Sequence, residues 1–241
     1  MVPFRGVWFF LLALPAALAL ALGRLPRSGG AARRTIAALG GFTVLFLAVY
    51  KTALWLDPAA PFCLWNELPL QPCNVAALLL APAALTDSRT LKAFCFHFGA
   101  PFALLAFAMP VPGFEAVPLL SATGLGYYGF HGLVLALSLG LGTSGLYRPR
   151  FRDLPGGLLL LAGSAAAAHG VNCLLRASVF PAADYFFTFD PLGNPILGAA
   201  YALLPCPFLY ELPLMTAAAG WGLLNTWLSG RLAGGKKEDP T

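Results

Sequence analysis

Residues 118–142 read PLLSATGLGYYGFHGLVLALSLGLG. The stretch carries no Asp, Glu, Lys or Arg. As a helix it is long enough to cross the roughly 30 Å hydrocarbon core of a bilayer. At 100° per residue, Ser121, Gly124, Tyr128, His131, Ser138 and Gly142 fall within an arc of about 100°, and Leu, Val and Phe fill the rest. One face is therefore small or polar and the other is fit for lipid. Two readings of that stripe stand side by side. Small residues let helices approach closely, with Tyr and His as hydrogen-bonding glue. Alternatively, an imidazole in the middle of a span marks function, because it needs a specific partner.

The rest of the chain has the same character. Of 241 residues, 59% are hydrophobic and 10% charged, with a mean hydropathy of +0.75. A soluble domain carries about 25% charged residues, so the polar coat of a water-soluble fold is missing. The net charge of +5 does not point to nucleic acid, because the basic residues are spread among short breaks rather than gathered in a patch. Five cysteines scattered along apolar segments do not make a disulfide framework, although Cys63 and Cys73 are close enough in sequence to pair. Apolar runs fall at 7–23, 35–56, 70–86, 91–111, 119–142, 156–176 and 196–228, the last broken by prolines. The expectation is an all-α polytopic bundle of seven transmembrane helices over residues 1–230, with a disordered cytoplasmic tail over 231–241.

Twelve of the fifteen Lys and Arg residues fall in alternate breaks. They include Arg24, Arg27, Arg33 and Arg34, then Arg89 and Lys92, then Arg148, Arg150 and Arg152, then Arg231, Lys236 and Lys237. The opposite breaks carry Asp57, Glu67, Glu115, Asp184 and Asp190. The positive-inside rule then puts the N-terminus outside and the C-terminus in the cytoplasm. Residues 7–23 also resemble a signal peptide. Four arginines follow the run and one precedes it, which favours a retained helix over a cleaved segment.

Polar groups inside spans are costly and tend to be functional. Here they are Cys73, Asn74, His97, His131, His169, Asn172, Arg176 and Glu211. His169, Asn172 and Arg176 are spaced to share a helix face, and an Arg176–Glu211 ion pair is the structural alternative for those two. Cys73 is the candidate nucleophile and His131 its base, with Gln71, Asn74 or Asn172 orienting the imidazole or holding an oxyanion. An inert buried thiol is the plain alternative. On an ideal bundle, Cys73 lies roughly 5–8 Å and His131 roughly 14–18 Å below the outer boundary, a mismatch that the prolines before Cys73 help to close. Three histidines on three helices show no ligand spacing, so no metal and no cofactor is expected. A carrier or channel whose polar path runs past His131, Asn172, Arg176 and Glu211 fits the same residues. A receptor is also compatible, but a retinal protein is not, since 196–228 contains no lysine.

ELPLQPCN (67–74), YYGFHGLVLALSL (127–139), HGVNCLLRASVF (169–180) and LLPCPFLYELPL (203–214) resemble the transmembrane protein 164 family and the related bacterial YwaF-type membrane proteins. The resemblance spans about residues 35–228. It implies a membrane-embedded acyltransferase acting on phospholipids, including polyunsaturated ether phospholipids, with Cys73 and His131 as the catalytic pair. Its partners would be the bilayer, a phospholipid and an acyl donor, with no nucleic acid. Its site would be the endoplasmic reticulum in a eukaryote or the plasma membrane in a bacterium.

Overall fold

A computed structural model describes residues 5–26, 30–57, 63–110 and 117–234, and all regular structure among them is helical. The helices are α1 (Arg5–Gly23), α2 (Ala31–Leu56), α3 (Pro72–Leu85), α4 (Arg89–Phe94), α5 (Ala100–Ala108), α6 (Ala122–Thr143), α7 (Leu154–Ser178), α8 (Pro195–Leu203) and α9 (Glu211–Gly234). Their ends follow local chemistry. Pro72 and Pro195 open α3 and α8 at positions where a missing N–H costs nothing. Ser121 caps α6 by accepting from the Gly124 N–H at 3.0 Å, and Asn194 caps α8 through Ile196 and Leu197.

A π turn over Cys95–Gly99 joins α4 and α5 into one run, Arg89–Ala108. Its cause is Pro101, which has no N–H to give the His97 carbonyl four residues back. That carbonyl accepts instead from Trp221 Nε1 of α9 at 3.0 Å. Among the described residues four helices are long and apolar enough to cross a membrane: Ala31–Leu56, Arg89–Ala108, Ala122–Thr143 and Phe151–Ser178. The Leu11–Gly23 stretch of α1 and helix Pro72–Leu85 are shorter apolar segments. The 196–228 run is split outright. Pro205 and Pro207 leave 204–210 irregular, so Glu211 opens α9 instead of sitting within a span. Helix α9 continues through Arg231 to Gly234; residues 235–241 and Glu115 lie outside the described residues.

Helix α6 is central and packs on α1, α2, α3 and α5. Its small residues serve that packing: a Cβ on Gly126 would lie 1.9 Å from the Tyr50 ring of α2. The two ends of the bundle are tied differently. At one, Arg33 pairs with Asp87 at 2.8 Å, and Arg89 grips buried Asp153 through Nε (2.7 Å) and a second nitrogen (2.5 Å). Tyr147 donates to the same carboxylate at 3.3 Å, and Arg89 reaches the Arg148 carbonyl at 2.8 Å. These contacts gather three of the basic breaks at one end. At the other end, Lys51 pairs with Glu67, and the α7–α8 connection folds over the approach to α3.

Candidate active site

The sequence before α3 forms a short 3₁₀ turn, Leu64–Asn66, and then a tight bend in which the Leu70 N–H donates to the Leu68 carbonyl at 2.8 Å. Cys73 is the second residue of α3, buried, with Asn74 buried beside it. The first amides of α3 have only the Gln71 carbonyl to share, which accepts from Asn74 (2.9 Å) and Val75 (3.0 Å). Pro72 has no N–H, so the Cys73 amide alone is left in this turn without a backbone partner among the described residues, and the positive end of the helix dipole favours an anion there. The Gln71 side chain does not cap the helix. Its Oε1 accepts from the Phe186 N–H at 3.1 Å.

His131 lies on α6, its Nδ1 2.8 Å from the Tyr127 carbonyl one turn back. A carbonyl only accepts, so the neutral ring carries its proton on Nδ1 and keeps a lone pair on Nε2. The Tyr127 ring packs on the imidazole at 4.3 Å, and its hydroxyl donates to the Ala106 carbonyl at 2.9 Å. Helix α6, which carries Tyr127 and His131, packs against α3, which carries Cys73. No hydrogen bond joins Cys73 directly to His131 among the described residues. Sequence reading singled out Tyr128 and passed over Tyr127, although Tyr127 sits four residues before His131 on the same face.

Asn172 has another task. Fully buried, it donates from Nδ2 to the Tyr185 carbonyl (2.8 Å) and to Thr188 Oγ1 (2.9 Å), and Oδ1 accepts from the Tyr185 N–H (2.8 Å). Tyr185 donates its hydroxyl to the Trp65 carbonyl and accepts from the Leu68 N–H at 3.2 Å. Burial pushes the Tyr185 phenol up to about 12, so it stays protonated and remains a donor. Asn172 therefore anchors a strap, Ala183–Asp190, that runs over to the Trp65–Gln71 segment leading into α3. The strap is strained: Phe186 and Phe187 both have φ of 59°, a left-handed conformation that phenylalanine rarely adopts.

Arg176 and Glu211 form no ion pair among the described residues. Arg176 donates to the Ala183 carbonyl at 3.0 Å and lies over the Phe189 ring. Glu211 is buried with Oε1 unpartnered among the described residues. His97 is fully buried, its Nδ1 3.4 Å from Asn225 Nδ2 and its Nε2 unpartnered among the described residues. His169 is held within the strap, Nδ1 at 3.0 Å from Thr188 Oγ1. Among the described residues no three His, Cys, Asp or Glu side chains come together as a metal site.

The sequence pattern that defines the TMEM164 family matches residues 3–224. The chain belongs to the TMEM164 family. The TMEM164-family match runs from the first helix well into α9, and so takes in Cys73, His131, the strap and its anchor. No match is found among curated proteins or among solved structures.

Proposed function

We propose that this TMEM164-family membrane protein is an acyltransferase acting on phospholipids, with Cys73 as the acyl-accepting nucleophile and His131 as the base. The observation that carries the reading is the placement of the two residues: a buried thiol in the first turn of α3 and, on α6, which packs against α3, an imidazole whose Nδ1 is held by the Tyr127 carbonyl so that Nε2 carries the lone pair. A helix N-terminus and a neighbouring base each favour a thiolate. In the first step the Cys73 proton passes to His131, the sulfur attacks the ester carbonyl of a donor phospholipid, and the glycerol oxygen leaves with that proton. A lysophospholipid hydroxyl then attacks the thioester and restores the thiol. Asn74 is the nearest amide in sequence for the oxyanion, while Asn172 and Arg176 support the reading by holding the strap, and Glu211 stands buried at the start of α9.

Seven spans with the N-terminus outside belong to the same reading, as does residence in the endoplasmic reticulum or plasma membrane. A second reading, a carrier with a polar path, draws on the buried polar atoms left unpartnered among the described residues: His97 Nε2, Ser138 Oγ, Glu211 Oε1 and Thr226 Oγ1. The deciding experiment expresses wild type, Cys73→Ala and His131→Gln at matched membrane levels and compares phospholipid acyl profiles. Wild type should shift the profile, and each variant should lose the shift. A Cys73→Ala variant with full activity removes this thiol from the chemistry and moves the weight to the carrier.

A further inference from the structure

A different cysteine has its sulfur against an imidazole. Cys173 Sγ lies 3.6 Å from Nε2 of His169, one turn earlier on α7. The imidazole is fixed on every side that matters. Phe189 and Phe208 stack on it at 4.9 and 4.8 Å, within 23° and 25° of parallel. Its Nδ1 faces Thr188 Oγ1 at 3.0 Å, and that hydroxyl is itself held by Asn172. Left-handed backbone at Phe208, with φ of 64°, and a bond from its N–H to the Thr188 carbonyl bring the second ring into place. With Thr188 accepting from Nδ1–H, the Nε2 lone pair is directed at the Cys173 thiol. This is a nucleophile, a base and a group that orients the base, the geometry that activates a thiol. Cys173 is also exposed on the outside of a helix long and apolar enough to span, next to Leu174 at 71% exposure, where acyl chains would surround it.

We propose that Cys173 is an S-acylation site, its thiol activated by His169 and charged with a long-chain acyl group as a thioester. The thiol proton moves to Nε2 as sulfur attacks the acyl carbonyl carbon. A C–S bond forms, and the bond from that carbon to its leaving atom breaks. The leaving atom, the sulfur of a coenzyme A thioester or the glycerol oxygen of a phospholipid ester, departs with the proton from Nε2. No oxidant or reductant is needed. The site stands independently of Cys73 and His131.

The full-length protein in lipid nanodiscs is incubated with alkyne-tagged palmitoyl-coenzyme A or, separately, with a phosphatidylcholine carrying an alkyne-tagged acyl chain. Peptide mass spectrometry then locates the tag. The expected result is a hydroxylamine-labile tag on Cys173 from at least one donor, which also identifies the source. The tag is lost in Cys173→Ala, an exposed position where folding is not at risk, and kept in Cys73→Ala. His169→Ala should slow tagging about 100-fold, and free imidazole in the buffer should restore part of the rate by refilling the gap between the two phenyl rings. Absence of the tag from Cys173 with both donors, or tagging spread equally over Cys63, Cys173 and Cys206, overturns the proposal. So does a folded His169→Ala variant that tags at the wild-type rate, or that imidazole fails to rescue. Lipid profiles of Cys73→Ala report on the other site, so the two readings fail separately.

Discussion

Asn172→Ala removes two donated hydrogen bonds and one accepted one, and with them the anchor of the strap. The Tyr185 N–H loses its partner. The Tyr185 carbonyl keeps only the long contact from the Thr188 N–H at 3.5 Å. A buried polar group left unpaired costs about 1–3 kcal/mol. One full loss and one partial loss therefore come to about 2–4 kcal/mol, taken from the local opening of the strap. At about 1.4 kcal/mol per decade, the Tyr185 amide should exchange with solvent about 30- to 1000-fold faster than in wild type. Hydrogen exchange with the protein in nanodiscs reads this directly, with α6 amides as the internal reference. Asn172→Asp should not rescue, because it puts an oxygen against the Tyr185 carbonyl where an N–H stood. Wild-type exchange at Tyr185 in Asn172→Ala would refute the anchoring role and return Asn172 to the catalytic constellation.

Trp221→Phe strips the donor from the His97 carbonyl and should cost about 1–2 kcal/mol, read as a lower unfolding temperature in detergent. Pro101→Ala supplies a new N–H to that carbonyl, so the double variant should be more stable than Trp221→Phe alone. Gly126→Ala forces a methyl into the Tyr50 ring and should destabilise by about 1–3 kcal/mol, with reduced recovery of folded protein on size-exclusion chromatography. Burial raises the Asp184 carboxyl above its ordinary range, despite N–H bonds from Phe189 and Asp190. The folded chain then binds this proton more tightly than the unfolded chain. Strap stability should be highest below about pH 4 and fall as pH rises through the raised value, and Asp184→Asn should flatten that profile in hydrogen exchange.

The all-helical architecture and the family were legible because hydropathy over about 20 residues is a strong signal and the ELPLQPCN and FHG elements are local. The expected runs 70–86 and 119–142 lie within a few residues of α3 and α6 for the same reason. What could not be read is long-range choice among equivalent partners. An isolated Asn172 looks the same whether it will serve a thiol or the backbone of Tyr185. Arg176 and Glu211 looked complementary, yet the Ala183 carbonyl and the Phe189 ring hold the guanidinium. Cys173 passed for one of several scattered thiols, although His169 four residues earlier was a visible cue. The break between α8 and α9 was signalled by its prolines, but how completely they would part the run was not.

The strap also sets an order for biogenesis. The Tyr185 hydroxyl meets the Trp65 carbonyl across 120 residues of chain. At about 5–20 residues per second, ribosomal synthesis needs roughly 6–24 s to traverse that separation. Throughout this interval the mouth of α3 lacks the cover that the strap supplies in the folded chain. A ribosome stalled just after α7 would leave a nascent chain with its thiol uncovered. Closure is thus a late checkpoint, passed only once the sixth apolar run has turned back on the third.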